Sequence, residues 1–370
     1  MRKWFGTVRW TYNQCVDYHQ QNKTSNLREL RDAVLKQDLY KGTDKEWVLY
    51  TDNDVRDNAI QDFVKATETS KLKGQRFEMK RRTRKDRTQS IVIRPRNFRQ
   101  STFGFRVFKG VASVKSREDI PSNLVYDTRI TLTRSGKYYL NVLNPLEIKG
   151  ENQAPVTNEH AHSGIVSLDP GVRTFMTGYD PSGKMIEWGK SDIARIFRLC
   201  KGIDALIGKH QAKKDGVYVL NHGRRYKMKK AEHRARERIR YLIGDCHKKL
   251  AKWLCENYRV VMIPKFEVSQ MVKRRNRKIR SKTVRQMVCW THYAFRQRLK
   301  DKSREYPWVR VIECTEEYTS KTCGKCGWIN QKLGASKVFR CQRCGTKVDR
   351  DWNGARNILL KWIEERHLSL

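Results

Sequence analysis

Gly164-Ile165-Val166-Ser167-Leu168-Asp169-Pro170-Gly171 is a β-branched apolar run that ends on an acid and is stopped by proline and glycine. Its composition predicts a buried strand over Ile165 to Leu168, closed by Asp169 and turned away by the Pro-Gly pair. Two further strands are expected around Thr174 to Tyr179 and Lys184 to Trp188, with the turn Pro181-Ser182-Gly183 between them. Three strands in succession then give way to helices.

Downstream, Ile239, Leu242, Ile243, Cys246, Leu250 and Leu254 recur at three and four within the highly charged segment from Ser191 to Tyr258, the spacing of an amphipathic helix. Arg259-Val260-Val261-Met262-Ile263-Pro264 reads as a short buried strand, a helix is expected from about Thr283 to Lys300, and Val309 to Cys314 reads as a further strand. Upstream, residues 144–163 are rich in Asn, Pro, Glu and His and read as a linker. Before it, Val125 to Thr133 and Tyr138 to Leu143 form an expected hairpin around Arg134-Ser135-Gly136-Lys137, and Ser90 to Arg94 is an expected strand ended by Pro95. Residues 1 to about 70 read as mostly helical. The whole is an α+β multidomain chain, and its three leading strands suit an RNase H-like sheet.

The chain of 370 residues carries 79 Lys and Arg against 39 Asp and Glu, a formal charge of +40 that points to a polyanionic partner. Nucleic acid is the leading expectation, ahead of an anionic membrane surface. No window of ~20 apolar residues is present, which excludes a spanning helix, and residues 1–10 lack a signal-peptide apolar run, which argues against secretion. The densest basic runs are candidate phosphate contacts. They are Lys80, Arg81, Arg82, Arg84 and Lys85; Arg224, Arg225, Lys227, Lys229 and Lys230; and Lys273, Arg274, Arg275, Arg277, Lys278 and Arg280. A solvated face is the alternative for any charge run.

Of ten cysteines, six (Cys15, Cys200, Cys246, Cys255, Cys289, Cys314) are scattered among apolar neighbours and read as small buried hydrophobes. The other four form two C-x-x-C knuckles, Cys323 with Cys326 and Cys341 with Cys344, each followed by glycine. Two spaced pairs complete a four-thiolate tetrahedral shell, the pattern of a structural zinc site with no open position for chemistry.

Two-metal phosphodiester chemistry needs acids at the ends of neighbouring strands. Asp169 is one candidate. Asp349 and Asp351 open an expected C-terminal helix bearing Ile358, Leu359 and Trp362, where either could equally be an N-cap.

Three strings now stand in order: residues 168–175 (Leu-Asp-Pro-Gly-Val-Arg-Thr-Phe), 318–327 (Tyr-Thr-Ser-Lys-Thr-Cys-Gly-Lys-Cys-Gly) and 349–358 (Asp-Arg-Asp-Trp-Asn-Gly-Ala-Arg-Asn-Ile). Together with Trp4 to Asn13 and Ser90 to Ile93 they resemble the TnpB transposon-encoded nucleases over nearly the whole chain, and within that family the Fanzor branch of eukaryotes and their large viruses. The resemblance implies a RuvC-type, RNase H-like nuclease domain over 159–370 with a zinc ribbon inserted at about 319–347. It also implies a helical recognition segment over 1–70 and a β-rich, wedge-like domain over 71–158. The implied activity is guide-RNA-directed, Mg2+-dependent cleavage of target DNA beside a short adjacent motif, with a transposon-derived omega RNA and target DNA as partners and no small-molecule cofactor.

The chain departs from the family in two places. Where a typical TnpB has Glu-Asp after the strand ending at Ile263, this sequence has Pro264-Lys265. The Fanzor pattern implies replacement by a glutamate before the Tyr-Thr-Ser-x-x-Cys string, so the implied catalytic set is Asp169, Glu316 and Asp351, with Glu317, Glu313 and Glu267 as further candidates. Family members also carry a strand and basic segment before the Trp-Phe-Gly block, whereas Met1 falls almost on it, leaving open whether the N-terminal domain is whole. The competing readings are an inactive RNA- and DNA-binding relative and a basic zinc-ribbon RNA-binding protein. A eukaryotic nuclease of this kind would work in the nucleus, with the basic clusters as import signals.

Overall fold

The computed structural model describes all residues except 73–77, 87, 99–115, 120, 122–123, 151–163, 275–278, 335 and 368–370. It divides into two units, Met1–Pro145 and Leu146–Leu370. The expected boundary at 158/159 falls among residues that are not described.

In the first unit, helices α1 (Arg2–Asn22), α2 (Leu27–Val34) and α3 (Asn53–Leu72) precede an antiparallel sheet in the order β1 (Thr88–Ile93), β2 (Thr128–Thr133), β3 (Tyr138–Asn141). Asn26 caps α2 by accepting from Arg28 and Glu29 N–H. The first turns of α1 bury Phe5 and Val8 with Val55, Ala59, Ile91, Ile93 and Ile130, so helices and sheet share one core. Further along, Tyr12, Cys15 and Val16 pack on Leu30, Val34, Ile60 and Phe63.

The second unit is built on a five-stranded sheet. Strands β4 (Ile165–Pro170), β5 (Met176–Tyr179) and β6 (Met185–Trp188) form an antiparallel meander. Helix α4 (Asp192–Gln211), a small hairpin of β7 (Lys213–Lys214) and β8 (Val217–Tyr218), and helix α5 (His222–Asn257) lead to β9 (Val260–Pro264). Short α6 (Val268–Met271), α7 (Ser281–Trp290) and α8 (His292–Ser303) lead to β10 (Arg310–Cys314). The order is β10-β9-β4-β5-β6, with β9 parallel to both β4 and β10, an RNase H-like arrangement. A two-stranded ribbon, β11 (Val338–Arg340) and β12 (Lys347–Asp349), then runs into α9 (Arg350–His367).

The period of two along each strand assigns the faces. Val166 and Leu168 of β4 and Val261 and Ile263 of β9 bury against α4, α5 and α8. Their alternates, Ile165 of β4, Met262 of β9 and Ile312 and Cys314 of β10, meet Ile358, Leu359 and Trp362 of α9. Helix α5 has 36 residues, hence about 54 Å. Its second half supplies Ile243, Leu250 and Leu254 to the core, while its first turns, residues 222–230, are mostly exposed and basic.

Where one helix was expected from Thr283 to Lys300, two are found, broken at Thr291 in the left-handed region (φ 49°). Trp290 and His292 explain the break. Both surround Phe175, at ring separations of 4.8 and 5.1 Å, and Trp290 Nε1 also donates to the Val172 carbonyl (2.9 Å). In a continuous helix, residues two apart point to nearly opposite sides, so the chain must unwind for both to reach one pocket. Among the described residues no helix is long and apolar enough to cross a membrane.

Candidate acid cluster and metal centre

The strand parity that packs α9 also places acids. Asp169 continues the α9-facing series Ile165, Ser167, and lies at the carboxyl end of β4, the edge where open α/β sheets hold ligands. Ser167 Oγ donates to the Ala355 carbonyl (2.7 Å), docking α9 on β4. On β10 the same series runs Ile312, Cys314, and its continuation past the strand end is Glu316. Glu313 has the opposite parity and pairs with Arg296 (2.7 Å) and Lys300 (2.9 Å) of α8, which keep its carboxyl below the usual range. On β9 the α9-facing series ends at buried Pro264, so no acid stands there, and Lys265 is exposed.

Asp351 in the first turn of α9 completes a group with Asp169 and Glu316. Burial pushes the Asp169 carboxyl well above the ordinary range, and the nearby charges of Asp351 and Glu316 push it further. Burial raises Glu316 to about 7, and burial with the neighbouring Asp349 raises Asp351, opposed by Arg350, Lys337 and Arg173. Asp349 plays the capping role instead: its Oδ1 accepts from the Asp351 N–H (2.9 Å), and its Oδ2 pairs with Lys337 (3.5 Å). Glu317 and Glu267 are exposed. Of the sequence candidates, therefore, Glu316 and Asp351 both lie near enough to Asp169 to act on its charge, and the other acids have different surroundings.

The donor set fits hard divalent cations. Oxygen ligands alone suit Mg2+, and the Asp169 carboxylate, disfavoured by burial and by the charges of Asp351 and Glu316, would be relieved by a dication beside it. Asp169, Glu316 and Asp351 would hold it.

One residue of this site goes unread at sequence level. A Cβ on Gly354 would lie 2.7 Å from Asp169 Oδ2, so only glycine lets α9 approach this closely. The Asn-Gly-Ala string carries the signal, but nothing in it says what the glycine faces. Gly354→Ala gains about 1 kcal/mol of intrinsic helix propensity, which the clash of its methyl with Asp169 Oδ2 opposes. It should weaken divalent-cation binding by tenfold or more, read by Mn2+ titration beside a melting curve.

The four knuckle cysteines converge as expected. Their sulfurs all lie within 4.8 Å of one another, with Cys323 to Cys344 at 3.6 Å and Cys326 to Cys341 at 3.5 Å. Four thiolates at ~2.3 Å from one tetrahedral ion lie about 3.8 Å apart, so the cluster is compatible with zinc. The six other cysteines are buried, except half-buried Cys289.

The basic candidates divide. Lys80, Arg81, Arg84, Lys85, Arg224, Lys227, Lys229, Lys230, Lys273, Arg274 and Arg280 are exposed, although Arg81 pairs with Asp17 (2.5 Å). Arg82 is engaged internally: its guanidinium lies 3.7 Å from the Tyr12 ring centroid, and its backbone N–H donates to Asn13 (2.7 Å). Arg225 lies 3.1 Å over the Tyr218 ring and donates to the His210 carbonyl (3.2 Å). Both support local packing, which a count of basic residues cannot reveal. Arg275, Arg277 and Lys278 lie outside the described residues.

Comparison with known proteins finds likenesses along nearly the whole chain. The Cas12f1-like TNB domain model matches residues 292–358, from α8 through the cysteine module into α9. A putative transposase of Paramecium bursaria Chlorella virus 1 is 29% identical over 98% of this chain and 83% of its own length. A TnpB-like protein of Acanthamoeba polyphaga mimivirus is 25% identical over 97% of this chain and 69% of its own. The cryo-EM structure of a Cas12f1-sgRNA-target DNA complex matches 96% of this chain and 81% of that one at a TM-score of 0.50 and 13% identity, a likeness of fold.

Proposed function

We propose that this chain, which belongs to the TnpB family of RNA-guided endonucleases, cuts DNA selected by a guide RNA through Mg2+-dependent phosphodiester hydrolysis at Asp169, Glu316 and Asp351. The observation that carries the reading is the placement of those acids at the carboxyl ends of β4 and β10 and the start of α9, where the charges of Asp351 and Glu316 both act on buried Asp169. Bound there, Mg2+ would supply a hydroxide at neutral pH and stabilise the leaving 3′ oxygen. Asp169 holds its position from within the sheet, Asp351 from the helix turn, and Glu316 reaches in from beyond β10. Gly354 keeps the space above Asp169 open. No covalent intermediate is required.

The partners follow from charge. A guide RNA and its DNA target suit a chain of +40, and the exposed cations at the start of α5 and at 80–85 are the phosphate contacts in this reading. Base pairing would read the target while the protein reads a short flanking motif. In the first unit, the helices would serve guide recognition and the sheet the wedge. The cysteine module would hold one structural zinc. In a eukaryotic host such an enzyme would work in the nucleus.

Pro264 favours a second reading, a binder that has lost cleavage. Cleavage of a plasmid library by the protein with its flanking non-coding RNA, with Mg2+ or EDTA and beside Asp169→Asn, separates the two. Guide-dependent cuts that vanish with EDTA and with Asp169→Asn are expected. RNA and DNA binding without cutting would establish the binder.

A further inference from the structure

An acid inside a strand is held by the ladder; Glu316 is not, because it lies two residues past the end of β10. What fixes it is a hydrogen-bonded segment leading into the cysteine module. The Glu316 carbonyl accepts from Thr319, from its backbone N–H at 3.3 Å and its hydroxyl at 2.8 Å. Tyr318 adopts a left-handed backbone (φ 65°), and its carbonyl accepts from the N–H groups of Lys321 (2.9 Å) and Thr322 (3.0 Å). The segment ends at buried Cys323 and at Gly324.

Two side chains of α9 grip this segment. Asn357 Nδ2 donates to the carbonyls of Thr319 (2.8 Å) and Thr322 (2.7 Å). Asn353 Nδ2 donates to the Thr322 carbonyl (2.6 Å), and its Oδ1 accepts from the Gly324 N–H (3.1 Å). Both amides are about 5% exposed or less, so each broken bond would strand a buried polar group. Gly324 is pressed against them: a Cβ there would sit 2.8 Å from Asn357 Oδ1 and 3.2 Å from Asn353 Oδ1. The same helix carries Asp351, two residues before Asn353 and six before Asn357.

We propose that Asn353 and Asn357 are positioning residues that couple the four-cysteine module to the acid cluster, so that an ordered module raises the affinity of the acids for a divalent cation. They lock the 316–324 segment, and with it the Glu316 carboxylate, to the helical turn bearing Asp351. The inference rests on the reading of Glu316 as a ligand.

The test uses full-length, zinc-loaded protein and Mn2+ as the probe, its binding followed by electron paramagnetic resonance and zinc content by atomic absorption. Asn357→Ala and Asn353→Ser are compared with wild type, each with and without Glu316→Gln. Full zinc content with Mn2+ affinity weakened tenfold or more is expected, the usual range for loss of an outer-shell partner. In the Asn357→Ala background Glu316→Gln should cost much less than in wild type, because the carboxylate is already misplaced. Variants that keep zinc and wild-type Mn2+ affinity would overturn the coupling. If Glu316→Gln alone leaves Mn2+ affinity unchanged, the Glu316 assignment itself fails and the coupling with it. Should Asn357→Ala release zinc, the milder Asn353→Ser decides by the same comparison.

Discussion

Glu316→Gln is expected to lower Mg2+-dependent cleavage by about a thousandfold, the loss of several kcal/mol of metal-mediated stabilisation, while making the metal-free protein more resistant to heat. Both effects have one cause. Burial raises the Glu316 carboxyl to about 7 from its ordinary 4.5, so the folded state holds this proton more tightly than the unfolded chain. Its contribution to stability is fully present below pH 4.5 and is lost as pH rises through about 7. Above that pH, without metal, the buried carboxylate is a cost, and a neutral glutamine of the same shape removes it. Each kcal/mol recovered should raise Tm by about 2–4 °C for a unit of this size. Mg2+ should raise the wild-type Tm at pH 8 and raise that of the variant far less. A variant that melts like wild type at pH 8 and responds equally to Mg2+ would place Glu316 outside the metal site.

Cys341→Ser is expected to release the zinc and unfold residues 319–347 while the five-stranded sheet stays intact. Apart from its cysteines, the module's hydrophobic core among the described residues is Leu333 and Phe339, with Trp328 and neighbouring Val348 partly covered. So small a core cannot offset the entropy of ordering some thirty residues at ~1–2 kcal/mol each, whereas apparent zinc-binding energies in comparable peptides are about 10–16 kcal/mol. Atomic absorption should find one zinc per chain in wild type and none in the variant. Amide exchange should become fast across the module and remain slow in β4 and β9. Protection of the module in a zinc-free variant would mean that its fold does not depend on the metal.

Much of this architecture is legible in the residues. The run Ile165 to Leu168 and the run Val260 to Ile263 announce buried strands because β-branched side chains crowd there, and the spaced knuckles announce a closed thiolate shell by chemistry alone. Asp169 is legible because Pro170 and Gly171 fix where its strand must turn. The break at Thr291 is not legible: Trp290 and His292 both fit a helical pattern, and only Phe175, more than a hundred residues earlier, demands that they face one pocket. Arg82 and Arg225 look like free cations until Tyr12 and Tyr218 come beneath them.

The sequence by itself determined the strand series, the four-thiolate cluster, the polyanionic partner class and a short list of acids, since each depends on residue type and local spacing. Tertiary structure gives the acids different surroundings. Parity along β10 turns Glu313 toward Arg296 and Lys300 and leaves Glu316 on the face of Asp169, and Gly354 earns its place only where α9 crosses β4. The physical reason is that a carboxylate's role is set by the charges and dielectric around it, and for Asp169 those charges come from Glu316 and Asp351, far along the chain, which no local pattern encodes.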